Sequence, residues 1–515
     1  MDKTYERKNS TKNGIKRAAF AAIAILIQII AVVLLLTVLD DYTLIISSVF
    51  NIIALVIAIQ IYSNQNNIAM KMPLIVIMLL YPALGLALYA LIGLGGSTKK
   101  MRKQFQGVDS ILFAKLPRNE KVWNKMIQKD EGVASISRMI QKEGYPVYEQ
   151  CDLTYYDNAS DGLEAQLVEM RKAKSFIFME YHAIEDKESW ARIEEVLVDR
   201  VRNGVEVRII YDDMGSITFI DTSFEKKMTS LGIQCQAFNP LSPGLNVFYN
   251  NRDHRKITVV DGRVGFTGGY NLANEYFNIT HPYGMWKDTG IRLEGDAVKS
   301  LTVTFLEMWC VVNKNKKIKA NAYLPDYKYI PRQSGFVQPY ADGPLHRNRL
   351  AENVYISLLN KANHYCYFIT PYLIITNEMV NAMALASHRG VDVRIITPGI
   401  PDKKMVYRVT RSFYGVLVEN GVRIYEWSPG FCHAKMCVVD DCMATVGTIN
   451  LDFRSLYHHF ENGCFIYDSP IVYDIKKDFL NTFDECTEVT ELYLDKASRP
   501  MVFKDQLLRL FAGLL

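Results

Sequence analysis

A chain of 515 residues, 49% hydrophobic and with a net charge of +4, has room for two or three domains and for a membrane anchor beside a water-facing body. So small a charge gives no reason to expect a nucleic-acid partner. The nine cysteines are an odd number with no C-x-x-C pair, which excludes a disulfide framework and leaves buried, reduced thiols as the expectation.

Residues 1–98 are read as a membrane region. Ala18 to Leu39 is interrupted only by Gln28 and Thr37 and is long enough to span a bilayer. Asp40, Asp41 and Tyr42 turn the chain into a second apolar segment, 43–62, and a third, 72–94, carries Pro82 and Gly85 in its middle. Basic residues precede the first segment (Lys3, Arg7, Lys8, Lys12, Lys16, Arg17) and follow the third (Lys99, Lys100, Arg102, Lys103). The positive-inside rule places both flanks in the cytoplasm. Three full spans would separate them, so the Pro-interrupted third segment is expected to dip in and return. The protein is thus expected to be multi-pass in the cell membrane, its body on the cytoplasmic side.

Residues 99–144 read as a charged helical connector, followed by two halves, 145–330 and 331–515. Ser175 to Tyr181 predicts a buried strand, Ser189 to Arg202 an amphipathic helix, and Gly204 to Ile210 the next strand. The same order recurs as Cys366 to Ile375, Asn377 to Arg389 and Gly390 to Ile396. Lys314 to Gly335 is the expected connector between the halves. The fold class is α/β, a repeated strand-helix-strand body with helices on both faces of each sheet.

Each half carries the same spaced residues. The first reads His254, Lys256, Asp261, Gly268, Asn271; the second reads His433, Lys435, Asp440, Gly447, Asn450. One such five-point match arises by chance in about one chain in ten thousand, so two copies indicate duplication. Alternation along a strand would set imidazole and ammonium on one face, about 7 Å apart and within reach of one phosphate. The Gly ending each return strand lets backbone approach a ligand, and each Asn supplies an amide. Asp261 and Asp440, at odd parity and in turns, point away from the His face, so a structural hydrogen-bonding role is expected of them. Cys432, Cys437, Cys442 and His433 lack the close ligand pairs of a zinc site, and no metal is expected.

These residues resemble the paired HxK(x)4D motifs of the phospholipase D superfamily. The words around them, Trp286-Lys-Asp288-Thr, Pro429-Gly-Phe-Cys-His433 and Gly447-Thr-Ile-Asn450-Leu-Asp-Phe-Arg454-Ser455, are similar to bacterial cardiolipin synthases, notably Gram-positive ones. The resemblance implies two phospholipase D-like α-β-α halves about a pseudo-two-fold axis, with the motifs meeting at one site. It implies transfer of a phosphatidyl group from one phosphatidylglycerol to another, through a phosphatidyl-histidine and without a cofactor. Its partners would be phosphatidylglycerol and other membrane lipids. A hydrolytic phospholipase D, or a transferase drawing on phosphatidylethanolamine, is the alternative.

By the same resemblance His254 is the nucleophile and His433 the acid/base. Lys256, Lys435, Asn271 and Asn450 would hold phosphate oxygens. Asp288 and Glu461 match the positions of the acids that orient the imidazoles, and the motif itself brings in Asp261 and Asp440. Glu275 and Arg454 rank behind these. His182 and Tyr372 suit strand-end packing better than a site role. Of His458 and His459, at most one faces the site. The apolar C-terminal stripe (Leu507, Leu508, Leu510, Phe511, Leu514, Leu515) either docks on the protein or lies on a bilayer.

Overall fold

The computed structural model describes residue 44 onward except 65–66, 94–95, 150, 222, 242–249, 315–318, 347, 495–507, 511 and 515, with a few isolated residues between 19 and 30. The expected first span, 18–39, therefore lies largely outside the described residues.

Three helices open the described chain: α1 (Leu44–Ser63), α2 (Ile68–Leu80) and α3 (Pro82–Gly93). Asn67 caps α2 by accepting from the Ala69 N–H at 2.9 Å. The third apolar segment is broken at Tyr81, where Pro82 starts a new helix. The chain then turns back on itself. A methyl on Gly85 would lie 2.3 Å from the Met78 Cα, so α3 returns along α2 with glycine at the contact. Ala54, Ala58 and Ile61 of α1 bury against Ile75 and Met78, small residues allowing close helix approach. Ile52, Leu55, Val56, Ile59, Leu79 and Leu80 stay exposed. Among the described residues no helix is long and apolar enough to cross a membrane; the side chains of α1 are described only from 48 on.

The body is built on two large sheets, with two short two-stranded pairs beside them. The first orders β1 (Cys151–Tyr156), β2 (Phe176–Tyr181), β3 (Glu206–Asp212), β4 (Gln234–Phe238), β5 (Lys256–Val260), β6 (Val264–Gly268) and β8 (Gly290–Gly295) as β1-β8-β6-β5-β2-β3-β4, while β7 (Met285–Lys287) stands apart. The second half supplies β9 (Phe336–Asp342), β10 (Tyr365–Ile369), β11 (Leu373–Ile374), β12 (Asp392–Pro398), β13 (Arg423–Trp427), β14 (Gly430–Cys432), β15 (Met436–Val439), β16 (Met443–Gly447), β17 (Leu451–Asp452), β18 (Glu461–Tyr467) and β19 (Cys486–Glu488). Its sheet runs β9-β18-β16-β15-β10-β12-β13, the same order strand for strand, with β19 added at the edge. The duplication therefore covers the whole half.

The expected strand 366–375 is two strands, interrupted at Thr370 and Pro371, where the Thr370 hydroxyl donates to the Tyr372 carbonyl at 2.8 Å. Between the sheets lie α9 (Val298–Val312) and α12 (Ile471–Asp484), whose Phe305, Leu306, Ile475 and Phe479 share one core with inward residues of both sheets. Helices α7 (Ala159–Arg171) and α8 (Glu188–Arg202) cover the first sheet outside, and α10 (Leu350–Lys361) and α11 (Asn377–His388) the second.

The connector 99–144 is no free tether. Phe105, Val108 and Leu112 of α4 (Gly96–Leu112) enter the inter-sheet core, whereas Val122, Met126, Val133 and Ile140 of α5 (Glu120–Lys129) and α6 (Glu131–Lys142) belong to the core of the second half. The C-terminus docks on the protein: Ala512 enters that core, and the Arg509 guanidinium lies 4.1 Å over the Phe413 ring. All nine cysteines are free, seven of them buried, and the Cys366 and Cys437 sulfurs lie 3.6 Å apart.

Candidate active site

Neither motif histidine lies on a strand of the main sheets. His254 precedes β5, and His433 sits between β14 and β15, so the expected alternation along one strand does not hold. Each is fixed instead by backbone of the opposite half. The His254 N–H donates to the Phe460 carbonyl at 2.9 Å, and the Phe460 N–H to the Arg252 carbonyl at 2.9 Å. Across the pseudo-dyad, β14 pairs in parallel with β7, and the His433 N–H donates to the Lys287 carbonyl at 2.7 Å.

Phe460 and Lys287 each precede an acid, so this pairing delivers the acid across the seam. His254 Nδ1 lies 2.9 Å from both carboxylate oxygens of Glu461, and His433 Nδ1 lies 2.6 Å from Asp288 Oδ2. Each imidazole thus takes its partner from the other half, leaving Nε2 for substrate. The Thr448 hydroxyl also donates to Glu461. Its counterpart is Gly269, where a methyl would lie 2.1 Å from Asp288 Oδ1 and 3.2 Å from the His433 carbonyl. Gly268 and Gly447 serve the same seam: a methyl would lie 2.4 Å from the carbonyls of Thr289 and Asn462 respectively. Their freedom accommodates the acid-bearing strand rather than a ligand.

Each motif lysine lies beside its own histidine. Lys256 Nζ donates to the His254 carbonyl at 2.6 Å, and Lys435 Nζ lies 2.9 Å from His433 Nδ1 while donating to that residue's carbonyl. Burial pushes Lys256 down to about 7, with Lys435 adding to the fall, and Lys435 to about 8, against the pull of Asp288 and Glu461. Burial, reinforced by Lys256 and Lys435, holds both imidazoles well below their usual range and hence neutral. Burial raises Asp288 to about 7, against the pull of Lys435. A phosphate entering here would meet neutral nucleophiles and a pair of poised cations.

Asn271 and Asn450 are buried but partly committed. Asn271 donates to the Tyr276 hydroxyl at 2.7 Å, and Asn450 to Asp452 at 3.1 Å. Asp261 and Asp440 lie at the far ends of β5 and β15, away from the site. Asp261 accepts from the N–H groups of Lys174, Ser175 and Phe176 at 2.8–2.9 Å, and Asp440 from Asn363, His364 and Tyr365 at 2.7–2.9 Å. Both are therefore excluded from the reacting centre and act as structural clamps at left-handed turns (φ 53° and 49°).

Three aromatic residues beside His433 escaped sequence reasoning. Tyr276, Trp286 and Phe431 put ring centroids 5.2, 5.3 and 5.7 Å from His433. His182 and His459 stand 5.0 and 5.4 Å from His254, so His182 lines the site rather than merely packing a strand end. His458 turns away, its Nε2 3.4 Å from the Gly513 carbonyl. Tyr372 donates to Asp402 at 2.5 Å and lies 6.2 Å from Phe431 on the aromatic side. The signal lies in unlike residues at matched positions, Arg252 against Phe431 and His459 against Trp286.

His254, His459 and Glu461 bring donor atoms within 4.8 Å of one another, a spacing open to a metal ion. The charge around them fits a cation poorly. Lys256 acts directly on His254 and Glu461, and Arg454 on His459, so an anion is favoured.

A family model described as cardiolipin synthase, PLD-like domain, matches residues 167–309 and 355–483. An uncharacterized protein of Streptococcus mutans is 40% identical over 78% of this chain and 84% of its own length. Cardiolipin synthase 1 of Staphylococcus aureus is 31% identical over 91% of this chain and 96% of its own. The crystal structure of phosphatidylserine synthase from Haemophilus influenzae aligns over 74% of this chain and 97% of that one, with a TM-score of 0.55 at 15% identity, a likeness of fold.

Proposed function

Because this chain belongs to the cardiolipin synthase family with a PLD-like domain, we propose that it transfers a phosphatidyl group from one phosphatidylglycerol to the glycerol hydroxyl of another, giving cardiolipin and glycerol. The observation that carries the chemistry is the pair of buried imidazoles, each held at Nδ1 by a carboxylate of the opposite half, with its motif lysine, Lys256 or Lys435, beside it. One imidazole attacks phosphorus through Nε2, forming an N–P bond as the P–O bond to glycerol breaks. The other, having taken up a proton at Nε2 as the anionic phosphate enters beside it, gives that proton to the departing glycerol oxygen. The second lipid's hydroxyl then returns a proton to that imidazole, attacks phosphorus and releases the histidine. The family resemblance gives the attack to His254 and the proton transfer to His433. Glu461 and Asp288 stabilise the cationic imidazole at each stage. Lys256 and Lys435, with the free N–H of Asn271 and Asn450, would hold the phosphate oxygens.

The N-terminal helices support a diacyl substrate. Their exposed apolar faces suit a bilayer, and they sit on the catalytic body, where Ala69 and Met70 pack on the core of the second half and Asn67 reaches Glu378 at 3.3 Å. The turn at Tyr81 suits a third segment that enters and returns, leaving both basic flanks and the body on the cytoplasmic face.

Purified protein given phosphatidylglycerol labelled in its head glycerol tests the reading. Cardiolipin plus one labelled glycerol per turnover is expected; phosphatidic acid, or dependence on phosphatidylethanolamine, would refute it. Trapping with lipid labelled at phosphorus should lose the covalent label in His254→Ala and retain it in His433→Ala. The reverse would exchange the two roles.

A further inference from the structure

Among the positions where the pseudo-dyad fails, three beside the imidazoles change charge or aromatic character. Counted from the motif histidines, Arg252 corresponds to Phe431 and Arg454 to Glu275; counted from the paired acids, His459 corresponds to Trp286. The flank of His433 is therefore mostly aromatic. The flank of His254 is cationic and incompletely satisfied.

Arg252 is 3% exposed. Its Nη2 donates to the Asn239 carbonyl at 2.6 Å and its Nε lies 3.3 Å from Asp212 Oδ2, yet its buried Nη1 has no partner. Arg454 donates from Nη2 to Asn250 Oδ1 at 2.8 Å, and its buried Nε has none. His459 is 9% exposed, with Nδ1 3.5 Å from Glu461 and neither ring nitrogen in a hydrogen bond. Backbone bonds bring these residues together: the His459 N–H donates to the Arg454 carbonyl at 2.8 Å and the Phe460 N–H to the Arg252 carbonyl at 2.9 Å. Burial lowers Arg454; Asp452 and Asp212 pull against that fall and Arg252 adds to it.

Buried donors left unpaired are costly, and two guanidiniums with an imidazole demand an anion of tetrahedral, multi-oxygen kind. The proposed reaction brings in two phosphates. One is the reacting phosphodiester between the histidines. The other belongs to the acceptor lipid and stands one glycerol bridge away. We propose that Arg252, Arg454 and His459 hold the phosphate of the acceptor lipid, so that this flank selects an anionic phospholipid over water or a neutral alcohol. The inference rests on the synthase reading above.

Full-length protein in detergent micelles containing phosphatidylglycerol allows two transfers to be measured in one sample: labelled free glycerol exchanged into phosphatidylglycerol, a neutral acceptor, and cardiolipin formed, an anionic one. In Arg454→Gln and His459→Asn the ratio of cardiolipin to exchanged glycerol should fall about tenfold or more, with partial recovery in Arg454→Lys. A ratio within about twofold of the wild type, whether both transfers fall together or neither changes, overturns the proposal. Glycerophosphoglycerol should compete with cardiolipin formation in the wild type and less so in Arg454→Gln. Competition by inorganic phosphate alone would make this a free-phosphate site and overturn the lipid assignment. A wild type that exchanges glycerol but makes no cardiolipin would instead sink the synthase reading itself.

Discussion

Replacing Glu461 by Gln preserves shape and removes one charge from the seam. Glu461 is fully buried, meets His254 Nδ1 at 2.9 Å and accepts from Thr448. Hydrogen bonds to a charged group contribute about 1.5–3 kcal/mol, which at about 1.4 kcal/mol per decade corresponds to about 10- to 150-fold in rate. The Gln amide oxygen can still accept from Nδ1–H and keep the tautomer, so a kcat loss of about 10- to 100-fold is expected. The pH profile carries a second signature. Burial pushes Lys256 down to about 7, and Glu461 is the main influence opposing that fall. Lys256 must be protonated to hold phosphate, so kcat/KM should decline as pH rises through about 7. Without the carboxylate the lysine loses its proton sooner, and this limb should move to lower pH. Cardiolipin formation in mixed micelles across pH 5.5 to 9 would read both effects, over roughly the range where such groups titrate. A loss under about threefold with an unmoved limb would refute the cross-half pairing as a catalytic device.

Asp440→Asn halves the acceptor capacity available to three backbone N–H groups; denaturant unfolding should show a loss of about 1–2 kcal/mol, with kcat unchanged. Gly269→Ala should abolish turnover while the protein still inserts and folds, because its methyl would lie 2.1 Å from Asp288 Oδ1; retained phosphatidyl transfer would show that the seam tolerates displacement of that acid. Cysteine at position 97 should resist an impermeant thiol reagent in intact cells and react after permeabilisation, whereas labelling from outside would sink the re-entrant third segment. An arginine at Val56, on the exposed face of α1, should weaken membrane recovery while leaving the body folded, as scored by fractionation and thermal unfolding.

The internal repeat was legible because duplication leaves the same residues at the same separations. His254, Lys256, His433, Lys435, Asp288 and Glu461 could be chosen from the chain alone, and the parity of Asp261 and Asp440 already set those two apart. The break at Tyr81 was marked by Pro82 and Gly85. Strand alternation, by contrast, misplaced both histidines, since His254 and His433 take their positions from bonds to Phe460 and Lys287 far along the chain. The glycines expected to face a ligand instead make room for backbone.

Local pattern thus determined that there are two half-sites and which groups each contributes, because spacing along a strand or turn depends on covalent geometry. Only the folded seam decided that Glu461 serves His254 and Asp288 serves His433, and that one imidazole sits among rings and the other among cations. Those relations join residues 145 to 207 positions apart, and no periodicity in a linear chain records which of two equivalent partners will lie nearer once the halves close on each other.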